Sequence, residues 1–349
     1  MKNLNEILNE DDLFISFVVE NDINIFIGDK NEILTYYNIK KEDLFSKSEE
    51  FIKYVSLREY YLNFIPEINR QNNTLPITNN LNLILFEIFK ILFPKEIIQL
   101  QKFSKYKRVI IFPDDFLYYL PIHLYFLNNF KNIEYYIYAP SATSYINCVE
   151  KQTKSPKVGL IVIGDRSDSK MQAEAKMIKE LYDGEIQIID SITDLNTNQN
   201  RFSFVYIISH GWAPKTNIQS EIEEIENNYG LLFDNDLITS IDFYSEKIKL
   251  NEGALVILSA CNVGRVLTNV NHDIYGLNRA IFYAGASNVI SAKWPVLSDL
   301  PEPFFKIILE SLFIKKIPLY QAFNEGIKYI RSLNFGKDNV SFLLIILHY

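Results

Sequence analysis

A chain of 349 residues with 48% apolar and 22% charged side chains has ordinary globular composition, long for one domain and short for three, and is not a disordered chain. Its formal charge of -8 argues against a nucleic-acid-binding face, since the nearest basic cluster, Lys102 to Arg108, runs straight into the apolar VIIF as the lead-in to a strand. With only Cys148 and Cys261, neither a disulfide framework nor a thiolate zinc site is expected.

The N-terminus, MKNLNEILNEDDLF, lacks the apolar core and cleavage site of a secretory signal. Runs such as LNLILFEIFKILF are too short and interrupted for a bilayer, which takes about 20 apolar residues. A reducing, cytoplasmic setting with no membrane contact is the expectation, and a free thiol survives there. Leu13 to Asp29 alternates as two antiparallel strands turning near Asn21-Asp22. From Ile39 to about Lys102 the pattern lengthens to helical spacing, LREYYLNFIPEI and LNLILFEIFKILF being separated by RQNNTLPITNN, which reads as a loop.

After Lys107 short β-rich runs alternate with helix-like segments, which predicts a mainly parallel sheet covered on both faces. The strands are expected at Arg108 to Phe112, Tyr135 to Tyr138, Val158 to Ile163, Ile186 to Ile189, Phe204 to Ser209, Ala254 to Ser259 and Asn288 to Ser291. Helices are expected in MQAEAKMIKELY, DIYGLNRAIFYAG, PEPFFKIILESLF and LYQAFNEGIKYIRSL. Trp212 to Tyr229 is an acidic surface loop or short helix at the sheet's carboxyl edge, where open α/β sheets place their ligands.

Two strand ends carry chemistry. VYIISHG buries its body and presents His210 at the edge, and Gly211 leaves the next backbone N–H uncovered. ALVILSACNVG repeats the arrangement with Cys261, so that both ends point the same way if the strands are parallel neighbours. His210 precedes Cys261 by 51 residues, the order and interval of caspase-type peptidases and not of papain. A free thiol, with a pKa of about 8.5, becomes an effective nucleophile beside an imidazole that takes its proton. The imidazole then protonates the leaving amine, and the N–H groups of Gly211 and Cys261 are natural oxyanion donors.

Singly, each residue has a bland explanation: a cysteine after a strand is usually a small core hydrophobe, and a strand-end histidine a structural or surface group. Spacing, strand context and flanking glycines together bring the catalytic pair level with these explanations. Cys148 in SYINCVEKQ has no such company and is expected to be structural, and His123 lies inside an apolar run and is expected to be packed. His272, in the loop-like NVNHD, faces no strand-end glycine, and His348 carries little expectation.

These segments resemble the CHAT domain family, caspase-like cysteine peptidases of the clan containing caspases, gingipains and separase. The resemblance is carried by FPDDFLYYLPIHLYF, YIYAPSATSY, LIVIGDR with MQAEAKMI and its Glu174, IISHG, YGLLFDNDLITSIDF, VILSACNVG and YGLNRAIFYAGASNVISAKWPV. It implies an α/β, caspase-like three-layer sandwich with a mainly parallel central sheet, plus an N-terminal β-hairpin and helical extension. The expected division is an extension over 1–104 and a catalytic core over 105–349.

The family commonly has an acidic residue four positions after the tryptophan, where this chain has Ser298, with Asp299 one position later. Asp299 is a candidate for receiving a basic side chain before the scissile bond, against a solvated loop carboxylate. Asp165 is a second pocket candidate, against a turn cap. The C-terminal NVSFLLIILHY, without the family's tryptophan and proline, is expected to be a structural strand.

The resemblance implies a cysteine endopeptidase that cuts a selected protein substrate, needs no metal or organic cofactor, and serves a bacterial defence, antiviral or cell-death system. Without tetratricopeptide repeats ahead of the domain, a separate sensor or activating protein is expected, unless the acidic loop or the N-terminal extension does the sensing. The alternative is a catalytically silent CHAT-like adaptor that docks a protein partner through the acidic loop or an edge strand. A nucleotide-binding enzyme is disfavoured, because GDRSDSK has neither the glycines nor the spacing of a phosphate loop.

Overall fold

The computed structural model describes residues 3–64, 76–94, 101–151, 158–191, 193–194, 200–212, 230–233, 236–261, 267–268, 274–293, 301–332 and 345–348. The chain forms two units, one of Met1–Ser141 with Arg331–Leu344 and one of Ala142–Ile330 with Ile345–Tyr349.

In the first unit, β1 (Asp12–Val19) and β2 (Asp22–Gly28) form the expected hairpin, in register from Phe14 opposite Gly28 to Val19 opposite Ile23. Ile23, Ile25 and Ile27 fall on one buried face, as the period of two requires. The hairpin extends further than its sequence pattern indicated: β3 (Ile33–Lys40) pairs antiparallel with β2. Helix α1 (Lys41–Phe64) follows, and α2 spans Pro76–Leu92. The PITNN end of the expected loop is therefore helical, with proline at the first helical position, where its missing N–H has no partner to lose.

β4 (Arg108–Phe112) pairs parallel with β1, and β5 (Tyr135–Tyr138) parallel with β4, with α3 (His123–Asn129) between them. The buried charged groups Asp12 and Asp29 are paired here. Arg108 Nε donates to Asp12 Oδ1 at 2.7 Å, and Asp29 accepts from Tyr106 Oη at 2.6 Å and Lys105 Nζ at 2.9 Å. His123 is fully buried, stacked on Tyr136 with centroids 4.1 Å apart and 2.9 Å from the Tyr138 hydroxyl. The expectation that it packs holds.

The second unit opens with α4 (Ala142–Lys151), which buries Cys148. Its sheet comprises β6 (Val158–Ile163), β7 (Glu185–Ile189), β8 (Arg201–Ile208), β12 (Lys249–Ser259), β15 (Ala286–Ala292) and β16 (Ile345–His348). The spatial order is β16-β15-β12-β8-β6-β7, parallel throughout except for β16 against β15. Apart from the edge strand β7, each parallel strand reads as a near-continuous apolar run because both its faces are covered.

One face carries Leu160, Val162, Val205, Ile207, Val256, Leu258 and Val289 into a core with three further groups of elements. These are β10 (Gly230–Phe233) and β11 (Asp236–Thr239), α6 (Ser240–Tyr244), and α7 (Leu277–Tyr283). The other face sets Phe204 and Tyr206 against α5 (Ser169–Leu181) and α8 (Pro301–Leu309): Tyr206 and Phe305 meet edge to face at 5.4 Å, and Phe204 stacks on Tyr182, just after α5, at 5.1 Å. This is the expected three-layer α/β arrangement.

The expected helix PEPFFKIILESLF ends as α-helix at Leu309 and continues as a π turn over Glu310–Ile314. α9 spans Leu319–Ser332. The expected helix DIYGLNRAIFYAG shortens to α7, because residues Ile274–Tyr275 (β14) pair with Leu267–Thr268 (β13) as a ribbon. Beyond α7, Gly285 turns the chain into β15 at φ 117°, a conformation that favours glycine.

Candidate active site

The site is set by the register of three neighbouring parallel strands. Ile163 of β6 and Ser259 of β12 both lie opposite Ile208 of β8. The ladder runs one step further, Gly164 N–H donating to Ile208 O at 2.8 Å and Ser209 N–H to Ser259 O at 3.2 Å. Two residues beyond this common row stand Asp165, His210 and Cys261. Parallel neighbours lie about 4.8 Å apart, so the three candidates end adjacent strands side by side at the carboxyl edge. His210 is exposed and Cys261 half-buried.

The edge is shaped by β9 (Gly211–Trp212), which leaves the main sheet to pair antiparallel with β10. Leu232 N–H donates to His210 O at 2.9 Å, which makes Gly211 and Leu231 a non-hydrogen-bonded pair of that ladder. The N–H of Gly211 is consequently directed away from β10. Ser209 locks the corner, its hydroxyl donating to Leu232 O and lying 3.1 Å from His210 O. The turn after β6 needs glycine: a Cβ on Gly164 would collide with Leu232 O and stand 2.7 Å from Ser209 Oγ.

Asp165 does two things at this edge. Its Oδ1 accepts from both the backbone N–H and the hydroxyl of Ser167 at 2.7 Å, the turn-capping arrangement considered for it. Those bonds hold its carboxyl below the usual carboxylate range, and His210 contributes to the same lowering. The next residue, Arg166, is tied to Asp190 through Nε to the backbone oxygen at 2.6 Å and a side-chain ion pair at 2.9 Å. Asp299, the other pocket candidate, lies outside the described residues, as do His272 and the acidic loop over 213–229.

Two buried ionisable groups beside this row had no assigned role in the sequence. Glu174 on α5 is buried and accepts from Tyr206 Oη at 2.6 Å, and it is also hydrogen-bonded to Ser259. Burial pushes its carboxyl up to about 7, against the opposing effect of those two bonds. The signal was a glutamate within the buried stripe Met171, Glu174, Ala175 and Ile178, at helical spacing. Lys293 follows β15, one position short of the row that holds Cys261, and burial pushes its amine down to about 7. Cys148 is different in kind from Cys261: burial pushes its thiol up to about 11. Among the described residues no cluster of histidine, cysteine and carboxylate side chains could hold a metal, and no helix is long and apolar enough to cross a membrane.

Residues 84–325 match the model of the CHAT domain. No curated protein matches the chain. Among solved structures it is similar to separase of Saccharomyces cerevisiae in two complexes with securin, at TM-scores of 0.65 and 0.61 and identities of 10% and 8%. Each match covers 99% of this chain and about a third of the separase chain, 30% and 31%. A weaker likeness, TM-score 0.45 and 12% identity, covers 89% of this chain and 77% of RgpB of Porphyromonas gingivalis in its complex of pro- and mature domains. The likeness to separase bears out the caspase-like fold, and since the family model takes in well over half of the chain, this chain belongs to the CHAT domain family.

Proposed function

We propose that the chain is a cysteine endopeptidase that uses His210 and Cys261. The observation that carries this reading is the common row: an imidazole and a thiol each stand two residues past paired positions on adjacent parallel strands, at the open edge of the sheet. Cys261 Sγ attacks the substrate carbonyl while His210 takes the thiol proton. The N–H groups of Gly211, directed away from β10, and of Cys261 stabilise the oxyanion. His210 then protonates the departing amine, leaving an acyl-enzyme that water hydrolyses with His210 as base.

Asp165, next in the row, supplies negative charge beside His210 and suits a lysine or arginine before the scissile bond. Asp299 is the companion candidate for that pocket. The family membership supports a regulated role in a bacterial defence or cell-death system, with a protein substrate and a separate activating protein.

The test is covalent labelling by a peptide electrophile carrying arginine or lysine next to the reactive carbonyl, located by mass spectrometry in wild type, Cys261→Ala and His210→Ala. Labelling at Cys261 in wild type, absent in the first variant and much slower in the second, is expected. A folded wild type that takes no label would instead favour an adaptor that docks a partner protein. Labelling with acidic peptides in preference to basic ones would remove Asp165 and Asp299 as pocket residues.

A further inference from the structure

Beneath the row of candidates lies a polar cluster that packing alone does not call for. The face of the sheet toward α5 and α8 is otherwise apolar and aromatic, with Phe204, Phe304, Phe305 and Ile308 buried around it. Yet Glu174, Tyr206 and Ser259 are all buried there together: Tyr206 Oη donates to Glu174 Oε1 at 2.6 Å, and the Ser259 hydroxyl bonds to the same carboxyl. Apolar residues of similar volume would fill such a site at no loss of stability, and often with a gain.

The cluster has a definite place in the ladder. Ser259 precedes Cys261 by two residues and lies opposite Ile208, which precedes His210 by two. Along β8, alternate positions run from Tyr206 through Ile208 to His210, and along β12 from Ile257 through Ser259 to Cys261. Glu174 therefore bonds to one residue on each of the two strands that end in the candidate pair.

We propose that Glu174 is a positioning residue for Cys261: its carboxylate, held by the hydroxyls of Tyr206 and Ser259, ties β8 to β12 and fixes the segment that delivers the thiol beside His210. This rests on the peptidase reading above. The ionised carboxylate accepts from both hydroxyls at once. Protonation leaves the carbonyl oxygen as an acceptor but turns the two charge-assisted bonds into neutral ones, roughly half as strong. The charged form is thus the one that ties both strands more tightly.

The groups facing Glu174 are Tyr206 from β8, Asp168 from the N-cap of α5 and Glu302 from α8. The two carboxylates favour its protonated form, and burial favours it more. The switch between the two forms consequently falls near neutral pH, where a small change in conditions redistributes them.

The experiment is alkylation of Cys261 by iodoacetamide, read as a second-order rate from about pH 5 to 9 by mass spectrometry of its peptide, in wild type, Glu174→Gln and Tyr206→Phe. Glutamine cannot ionise and stands for the protonated acid. In wild type the rate per thiolate rises through a step near pH 7. Glu174→Gln loses that step and stays at the low-pH level, about tenfold slower at alkaline pH, the worth of one hydrogen bond to a charged group.

Tyr206→Phe removes a donor to the carboxylate without touching its charge and so moves the step to higher pH. A Glu174→Gln profile that superimposes on wild type overturns the proposal, as does a Tyr206→Phe step that stays in place. Because iodoacetamide needs no substrate recognition, these outcomes are separate from failure of the peptide electrophile to label wild type, which would overturn the peptidase reading itself.

Discussion

Two regions of the molecule, one in each unit, treat buried charge in opposite ways. In the first, Asp12 meets Arg108 and Asp29 meets Tyr106 and Lys105. Burial alone would raise the Asp29 carboxyl, but the bonds from Tyr106, Lys105 and the backbone N–H groups of Asn31 and Glu32 outweigh it and hold it far below its ordinary value. Beside the candidate site of the second unit burial wins: Glu174 is pushed up and Lys293 down, each to about 7. Charge that is fully compensated serves the fold, whereas groups left near their switching point, gathered at one edge of a sheet, are what chemistry requires.

The largest expected effect tests the functional side. Cys261→Ala should lower peptide hydrolysis by about 10⁴ or more, as removal of a nucleophile does. Its melting temperature should stay close to wild type, because Cys261 stands outside the last paired row. Reaction with a small alkylating reagent should fall almost entirely on Cys261, since Cys148 is buried with its thiol pushed up to about 11. Equal alkylation of the two thiols in the native protein would dissolve the distinction drawn between them.

The structural side is tested by Asp12→Ala. It takes the carboxylate away from the buried Arg108 guanidinium, and breaking such a buried pair costs about 3–5 kcal/mol. Urea unfolding should show that loss, while the rate of Cys261 labelling under native conditions should hold. A variant as stable as wild type would mean the ion pair contributes little, and one with slowed labelling would mean that the first unit's polar pairs are not purely structural.

The parallel strands were legible because each is a short apolar run bounded by helical spacing, and the same logic placed His210 and Cys261 at strand ends. The third strand of the hairpin, Ile33–Lys40, escaped because its side chains are half-exposed or exposed on both faces, so that no apolar alternation marks it. The helical start at Pro76 was hidden by the polar PITNN, which looks like a loop until its place ahead of LNLILF is taken as the first turn. Glu174 was visible as a helix residue but not as a partner of Tyr206 and Ser259, since these bonds join residues far apart in sequence. No local pattern encodes such a meeting. Asp165 shows the converse: the turn-capping bonds to Ser167 are local and were foreseeable, whereas its charge beside His210 follows from strand order.

The smallest and most discriminating effect is the dependence of stability on pH, for which the two units predict opposite signs. Asp29 has a folded pKa below its unfolded value, so its contribution is present above the ordinary aspartate range and lost as pH falls through and below it. Glu174 has a folded pKa raised from 4.5 to about 7. Between those values the folded state holds a proton that the unfolded state has released, so stability falls as pH rises across that window and is level above it. The loss is on the order of 3 kcal/mol. Glu174→Gln has no such proton to lose, and the stability difference between it and wild type, from urea melts at about pH 4.5, 5.5, 6.5 and 7.5, should shift steadily in favour of the variant. Together with slower Cys261 alkylation, that gives a protein more stable and less reactive than wild type at alkaline pH, the opposite of what loss of a purely structural bond produces. A difference that stays flat across the window would show that Glu174 is compensated as fully as Asp29 is, and the contrast between the two units would vanish at the residue where it is sharpest.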